Sequence, residues 1–224
     1  NGAVSLITGE IGAGKSTSLR YAINSLHPSK YTVISIIANT GSIIELLKQV
    51  SIELGVQVYS TSITRQMKSI KNILIELTGK NRIPVLIIDE AHLLRIEVFS
   101  QIHTLMQNEL DSISLLPLVL CGQNTLEDKL SFYNAKALAS RVIGKSHLTG
   151  LKLKEIEEYL HHHLKISGIK DNLFSEDAIT AIHQGSGGLL RTANNLAKGA
   201  LVAAASQNSK IVNAEFVRIA ATEL

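Results

Sequence analysis

Three glycines, a lysine and a serine are crowded into nine residues near the start of the chain. The stretch reads GEIGAGKST over residues 9–17 and follows a short apolar run. Because glycine has no Cβ, such a loop can curl until successive backbone N–H groups point inward and bind an anion. The positive end of a following helix strengthens this field. These residues therefore predict a loop that binds phosphate groups.

The spacing of this stretch matches the pattern G-x-x-x-x-G-K-[S/T] of nucleotide-binding loops. In that pattern the lysine, here Lys15, reaches the terminal phosphates, so we also expect it to be catalytic. A flexible glycine turn is the alternative, but the apolar run before the stretch and the helical composition after it favour the phosphate loop. The residues predicted to contact nucleotide are Gly9, Glu10, Ile11, Gly12, Ala13, Gly14, Lys15, Ser16 and Thr17.

Two adjacent acids, Asp89 and Glu90, end the apolar run VLIIDE. We expect the Ser16 hydroxyl to bind Mg2+ directly and Asp89 to hold a water in the shell of the same ion. Glu90 would orient or deprotonate an attacking water. A glutamate directly after a metal-binding aspartate favours water as the phosphoryl acceptor, so the predicted reaction is hydrolysis. The alternative is an exposed acidic strand end without chemistry.

The apolar pattern places these motifs in an α/β fold, with strands separated by helical segments. Such an alternation predicts right-handed crossovers and a parallel sheet flanked by helices. We predict strands over residues 4–8, 31–39, 84–90, 115–122 and 141–148. The intervening helices are predicted over residues 16–26, 42–54, 63–77 and 93–110, with one or two further helices over residues 125–140. After Gly150 only helices are predicted, so we divide the chain into a nucleotide-binding core at 1–149 and a small helical lid at 150–224.

Composition favours an aliphatic, helix-rich protein: hydrophobic residues make up 45% of the chain and aromatic residues 4%. The only cysteine, Cys121, lies in an apolar run and is expected to be a buried hydrophobic residue in a reducing compartment. Apolar stretches fall short of the roughly 20 residues that span a bilayer. We therefore predict a cytoplasmic location. The net charge of +3 permits a polyanionic partner without requiring one.

In this order, the motifs resemble those of the AAA+ ATPases, and more narrowly the ExeA/TniB-like group, which includes ATPases of secretion and transposition systems. The resemblance covers nearly the whole chain and implies a P-loop core with a helical lid, ATP and Mg2+ as cofactors, and a homo-oligomer. Two of the segments behind the resemblance, GEIGAGKST and VLIIDEAHLL, are shared by many nucleotide hydrolases. The more specific segments are LPLVLCGQNTLEDKL, LASRVIGKSHL, LKEIEEYLHHHLKISGI, LFSEDAITAIHQGSGGLLRTANNLA and FVRIAATEL.

The resemblance also implies roles for four polar residues outside the two motifs. Asn39 would act as a switch that restrains Glu90. Gln123 would be the catalytic first sensor of the γ-phosphate, with Asn124 as the alternative. Arg141 would be an arginine finger that acts on the nucleotide of a neighbouring subunit, and Arg191 would be the lid's nucleotide-binding second sensor. The alternatives are capping amides and surface salt bridges.

Members of the resembled family usually carry a segment before the first strand that closes over the adenine. In this sequence the phosphate loop begins at the ninth residue, so either that segment is missing here or other residues hold the base. No residue is therefore assigned to the adenine, and ATP is what the resemblance implies.

The preferred biological role is a DNA-binding accessory ATPase that serves a transposase and forms a nucleotide-dependent oligomer. Arg65, Lys68 and Lys71 lie at helical spacing and form a basic stripe that could follow the phosphates of duplex DNA. A solvated helix face is the alternative for this stripe. Two other roles stay open: an ATPase of secretion-complex assembly, and a nucleotide-gated scaffold with little hydrolysis.

Overall fold

The computed structural model describes residues 3–39, 42–56, 62–108 and 113–223. The chain forms two compact units: the first contains Asn1–Gly9 and Lys15–His147, and the second contains Glu10–Gly14 and Leu148–Leu224. The division into residues 1–149 and 150–224 stays a prediction.

A five-stranded parallel sheet is the centre of the first unit, as the sequence predicted. Its strand order is β2-β3-β6-β1-β7, and the two-residue strands β4 and β5 form a separate antiparallel pair. The strands are β1 (Val4–Gly9), β2 (Tyr31–Ile37), β3 (Ile83–Asp89), β4 (Gln107–Asn108), β5 (Ile113–Ser114), β6 (Leu118–Gly122) and β7 (Val142–Leu148).

The central strands pair in parallel because each is apolar on both faces and is followed by a crossover helix. In β3, for example, Leu86 and Ile88 point to one face and Ile87 to the other, and all three are buried. Leu120 of β6 lies opposite Leu6 of β1 on one side and opposite Ile88 on the other. This register makes β1, β3 and β6 end at the same edge of the sheet.

Six helices and two 3-10 turns complete the described part of the first unit. The largest core cluster contains the buried Leu47, Ile70, Leu86 and Phe99, which come from three helices and a strand. The helices are α1 (Lys15–Ser25), α2 (Ile43–Glu53), α3 (Ile63–Gly79), α4 (Ile96–Met106), α5 (Thr125–Ser131) and α6 (Lys136–Ala139); the 3-10 turns are Ala91–Leu93 and Tyr133–Ala135.

The long helix predicted over residues 93–110 is wrong at both ends. After the 3-10 turn at Ala91–Leu93, Leu94 is extended and buried, and α4 begins only at Ile96. At its other end the chain leaves the helix after Met106, and Gln107 pairs with Ser114 in a two-stranded ladder. The spacing of apolar residues continues past both ends of α4, so the sequence pattern does not show where this helix begins and ends.

Four helices form the second unit around their own core, and α10 packs on both α8 and α9. They are α7 (Leu153–Ile166), α8 (Glu176–Ser186), α9 (Leu190–Ser206) and α10 (Ala214–Thr222). Their core contains Ile156, Ile182 and Phe216 together with a row of alanines on α9. Small residues on α9 let the backbones of α9 and α10 approach closely. In the described ranges, no helix is both long and apolar enough to span a membrane.

We predict that Gly199→Ala destabilises the second unit, although alanine is the better helix former. A Cβ at Gly199 of α9 would lie 2.8 Å from the Cβ of Ala220 on α10, so the two helices would have to move apart. We expect a loss of about 1–3 kcal/mol in the free energy of unfolding, measured by urea titration. The control is Asn195→Ala on the exposed side of α9, which should be neutral or slightly stabilising. A Gly199→Ala variant more stable than wild type would contradict this packing.

Candidate nucleotide-binding site

The predicted phosphate loop connects the end of β1 to the beginning of α1. Gly12 and Gly14 have φ values of +86° and +95°, a backbone region that strains any residue with a Cβ. The Ala13 N–H donates to the carbonyl oxygen of Glu10 at 3.2 Å, which closes a turn inside the loop. The loop therefore has the tight, glycine-dependent turns that an anion-binding loop before a helix requires.

Lys15 is the first residue of α1, and its side chain is folded into the loop. The residue is only 8% exposed, and its Nζ donates to the carbonyl oxygen of Gly9 at 2.9 Å. A buried ammonium group must be compensated by polar partners or by an anion. Lys15 is thus held where a phosphate group in the loop would meet its charge.

Ser16 and Asp89, the predicted metal pair, are in direct contact. The Ser16 hydroxyl donates to Asp89 Oδ2 at 2.8 Å, and Asp89 Oδ1 accepts from the backbone N–H of Glu90 at 2.8 Å. No cluster of three or more His, Cys, Asp or Glu side chains suited to a metal occurs in the described residues. The pair fits Mg2+ that arrives with phosphates and keeps several waters, which is how this ion usually binds.

Glu90 has a left-handed backbone, with φ of +54° and ψ of +30°. This conformation is uncommon for residues other than glycine and clusters at functional sites. Its carboxylate Oε2 lies 3.3 Å from Nδ1 of His92, whose side chain is 11% exposed. Burial lowers the pKa of His92; Lys129 and Lys15 act in the same direction, whereas the nearby carboxylates of Glu90 and Asp89 oppose the shift. His92 is therefore neutral at neutral pH.

Gln123, the predicted first sensor, follows β6 directly and lies at the same sheet edge as the loop and the acids. It is half-buried, and its backbone N–H lies 3.4 Å from Nδ1 of His92. The alternative sensor, Asn124, is exposed and precedes the first residue of α5. His92 therefore contacts both the proposed catalytic carboxylate and the sensor backbone.

Asn39, the predicted switch, lies at the end of β2 beside the acids. The neighbouring Ala38 N–H donates to the carbonyl oxygen of Asp89 at 2.8 Å. The Asn39 side chain is exposed, and no hydrogen bond joins it to Glu90 in the part of the chain that the structure describes. The structure thus brings Asn39 to the correct edge, while its switch role stays a prediction.

Arg141, the predicted arginine finger, lies at the opposite edge of the sheet from the phosphate loop. Its carbonyl oxygen accepts from the N–H of Val4 at 3.0 Å, at the start of β1. From Val4 to Gly9 the strand rises about 17 Å, at roughly 3.3 Å per residue. The Arg141 Nε donates to His103 Nε2 of α4 at 2.9 Å. Its side chain therefore cannot act on a nucleotide held by its own loop.

Arg191, the predicted second sensor, belongs to the second unit together with the loop residues Glu10–Gly14. Its backbone N–H donates to the carbonyl oxygen of Gly12 at 3.2 Å. A Cβ at Gly12 would lie 2.9 Å from the Cβ of Arg191, so only glycine allows this approach. The Arg191 residue is exposed at the beginning of α9.

The predicted basic stripe lies on α3. Arg65 and Lys68 are exposed and Lys71 is half-buried. The stripe is thus accessible over its first part, and DNA contact stays a prediction.

Sequence reasoning missed Lys129 at this site and undervalued His92. The Lys129 ammonium group donates to the carbonyl oxygens of His92 and Leu94, and so fixes the turn after the acids. For His92 the only signal was its position two residues after Glu90. No local pattern marks Lys129, because its acceptors are 35 and 37 residues away in the chain.

A glycine loop that buries a lysine, followed by a serine bonded to an aspartate at the end of another parallel strand of the same sheet, defines the class of P-loop nucleotide-binding proteins. Within that class, the family model described as AAA domain matches residues 1–130, more than half of the sequence. The chain belongs to this AAA domain family, which confirms the resemblance seen in its motifs.

Three known proteins are similar to the chain over all or nearly all of its length. General secretion pathway protein A of Aeromonas hydrophila is 28% identical over 225 residues, covering 100% of this chain and 41% of that protein. The Cdc6p structure from Pyrobaculum aerophilum superposes with a TM-score of 0.77 at 17% identity and covers 98% of this chain and 60% of that one. The structure of the RuvB Holliday junction branch migration motor of Thermotoga maritima superposes with a TM-score of 0.61 at 23% identity. This match covers 100% of this chain and 62% of that one.

These similarities establish an AAA+ protein of the ExeA-like type, and the structural superpositions show the fold. The chain spans less than two thirds of the length of each of these relatives.

We predict that Glu90→Gly is more stable than Glu90→Ala. Both variants lose the carboxylate, but only alanine pays the left-handed backbone cost of about 1–2 kcal/mol, against a glycine flexibility cost of about 0.5–1 kcal/mol. The free energy of unfolding from urea titration should favour the glycine variant by roughly 0.5–1 kcal/mol. At the control position Thr104, an exposed site within α4, the order should reverse. Equal stabilities at position 90 would contradict the left-handed backbone.

We predict that His92 makes the protein less stable in mild acid. Because burial lowers its pKa, the folded state binds fewer protons than the unfolded state once the pH falls below about 6.5. The contribution is fully present above that pH and decreases as the pH falls. In urea titrations between pH 7.5 and 5, His92→Asn should lose less stability than wild type. A parallel loss in the two proteins would show that His92 is not the group responsible.

Proposed function

We propose that this chain is an ATPase that binds MgATP and hydrolyses it to drive or time the assembly of a homo-oligomer. The observation that carries the proposal is the 2.8 Å bond between Ser16 of the phosphate loop and Asp89 at the end of β3. It joins the two motifs that a nucleoside triphosphatase needs, in a protein whose family is AAA+. ATP and Mg2+ are the cofactors that this family implies.

Each motif residue has a separate task in the proposed reaction. The loop amides and Lys15 would bind the β- and γ-phosphates, and Lys15 already lies within the loop. Ser16 and, through water, Asp89 would hold Mg2+, which neutralises phosphate charge. The proposed nucleotide contacts stay the loop residues 9–17 and Arg191.

Glu90 would act as the general base. Its carboxylate takes a proton from a water, the water oxygen attacks the γ-phosphorus, and the bond to the β-phosphate oxygen breaks to release ADP and phosphate. A neutral His92 beside Glu90 places no positive charge against the proposed base. Gln123 would orient the γ-phosphate from the neighbouring strand end.

The position of Arg141 supports the oligomer. An arginine at the far edge of the sheet can contact nucleotide only on another copy of the chain. A trans arginine accelerates hydrolysis about 10^3- to 10^5-fold in other nucleotide hydrolases. We therefore expect an isolated copy to be slow and an assembled one to be fast.

The test is the rate of phosphate release per chain against protein concentration, for wild type, Glu90→Gln and Arg141→Ala. Wild type should accelerate as it assembles. Glu90→Gln should still bind ATP, measured by calorimetry, and should lose about 10^2-fold or more in kcat. Arg141→Ala should bind ATP but lose the concentration-dependent acceleration.

The matched control is Arg218→Ala, which removes an exposed arginine of α10 and should keep the acceleration. Full stimulation of Arg141→Ala would contradict the finger assignment. If no protein shows turnover at any concentration while ATP still binds, the chain is a nucleotide-gated scaffold. If Mg2+-dependent ATP binding is absent and Lys15→Ala changes nothing, the whole proposal fails.

A second candidate role has an observation of its own. The similarity to General secretion pathway protein A extends over 100% of this chain, which supports assembly of a secretion complex. The transposition role proposed from the sequence rests on the basic stripe of α3, and a transposase would then be the partner. The same assay with duplex DNA separates the two roles. ATP-dependent retention on DNA that is lost with Arg65→Ala and Lys68→Ala would support transposition, and its absence would support secretion.

A further inference from the structure

Four side chains form a hydrogen-bonded cluster that includes Thr8, the last residue before the phosphate loop. Thr8 is 1% exposed, and its Oγ1 lies 3.1 Å from Glu127 Oε1 and 2.9 Å from His147 Nδ1. Lys145 Nζ lies 3.2 Å from the other Glu127 oxygen. These residues, here called the Thr8 cluster, come from β1, α5 and β7. Neither the proposed reaction nor the phosphate-loop pattern uses them.

The proton directions within the Thr8 cluster follow from the charge of Glu127. Hydrogen bonds from Lys145 and then from Thr8 lower the pKa of Glu127, so this carboxylate is ionised and only accepts. Thr8 must therefore donate its single hydroxyl hydrogen to Glu127. The Thr8 oxygen is then left to accept from Nδ1–H of His147. Each side chain of the cluster thus has a donor or acceptor role that matches its partner, so the direction of every hydrogen bond is defined.

The helix that carries Glu127 begins two residues after the proposed sensor Gln123. Glu127 and Lys129 are two positions apart on α5, roughly 200° around the helix, so they point to opposite sides. Glu127 bonds to Thr8 before the phosphate loop, and Lys129 bonds to the Leu94 carbonyl oxygen at 2.8 Å in the segment after the acids. A single short helix is thus attached to the segments that carry both motifs.

We propose that Glu127 is a positioning residue that, through Thr8, fixes the beginning of α5 so that Gln123 reaches the γ-phosphate of bound ATP. The inference deepens the proposed function and depends on it for its catalytic part. Loss of the Glu127–Thr8 bond should impair recognition of the γ-phosphate. The loop amides and Lys15 should still bind the β-phosphate, which ATP and ADP share, so the affinity for ADP should be unaffected.

For the position of α5, the Lys145–Glu127 ion pair is less important than the hydrogen bond between Thr8 and Glu127. The side chains of Lys145 and Glu127 are 62% and 41% exposed, and exposed ion pairs contribute little. The buried Thr8 hydroxyl, in contrast, depends on an acceptor at Glu127. A glutamine at position 127 still offers a carbonyl oxygen to Thr8, so Glu127→Gln should behave like wild type, whereas Glu127→Ala should not.

The experiment measures kcat and the affinities for ATP and ADP in Glu127→Ala, Glu127→Gln, Thr8→Val and the double variant Thr8→Val/Glu127→Ala. Glu127→Ala and Thr8→Val should each lower kcat about 10-fold, a typical effect for residues that orient a catalytic group. The double variant should lose no more than either single variant, because both remove the same bond. Glu127→Gln should stay within about twofold of wild type.

Asp128→Ala is the matched control, since Asp128 is an exposed acid in the same first turn of α5 and has the same effect on the helix dipole. It should leave kcat unchanged. Equal kcat in Glu127→Ala and wild type, or losses that multiply in the double variant, would overturn the inference. So would equal weakening of ATP and ADP binding together with a lower unfolding temperature, which indicates a purely structural role.

A binding measurement separates this inference from the proposed hydrolysis. In the Glu90→Gln background, where turnover should be at least about 10^2-fold slower, Glu127→Ala should lower the affinity for ATP while leaving that for ADP unchanged. This arm can succeed even if wild type proves to be a scaffold without turnover. Conversely, Glu90-dependent hydrolysis with no effect of Glu127→Ala would leave the proposed function intact and overturn only the role of Glu127.

Discussion

The parallel register of β1, β6 and β3 is the constraint on which the candidate site depends. Leu6, Leu120 and Ile88 lie side by side in these strands, and each strand ends within three residues of that level, so the three ends share one edge of the sheet. Neighbouring strands are about 4.8 Å apart, so the outer two of the three are about 10 Å apart. The end of β1 and the proposed sensor and acids therefore lie within the short distance that the proposed reaction requires. A shift of one residue in β3 would turn Asp89 to the other face of the sheet and away from Ser16.

Around that register, the site combines strained backbone with buried charge, both of which oppose stability. Glu90 keeps a left-handed backbone, and Lys15 keeps its ammonium group almost out of solvent. Such features persist only when the surrounding structure holds them in place. Here the acceptors are backbone carbonyl oxygens, one at the end of β1 for Lys15 and two in the turn after the acids for Lys129. Because these carbonyls are fixed by rigid elements, the charged groups are already oriented before a nucleotide binds, which reduces the ordering cost of binding.

Much of the fold could be predicted because its information is local. Strands such as β2 and β3 are short β-branched runs, and the glycine stretch specifies both the end of β1 and the beginning of α1. The predicted helix over residues 93–110 failed because Leu93 and Leu94 continue the apolar spacing although neither is α-helical: Leu93 ends a 3-10 turn and Leu94 is extended. Gln107 leaves the helix and pairs with Ser114 in an antiparallel ladder. The residues of one helical turn do not indicate such a pairing, because the partner lies seven residues further along the chain. Periodicity identifies which residues are buried, but not which backbone hydrogen bonds they make.

The same distinction applies to the site. Lys15, Ser16, Asp89 and Glu90 could be predicted because their chemistry requires fixed spacing within a motif. Thr8, Glu127 and His147 could not, because their contacts join residues 119 and 139 positions apart and carry no spacing rule. Phosphate binding requires particular side chains at particular positions. In contrast, many different pairs of side chains could form the contact between the end of a strand and a helix. Residues that orient the motif are therefore recognised only when a structure shows which buried hydroxyl needs an acceptor, as Thr8 does here.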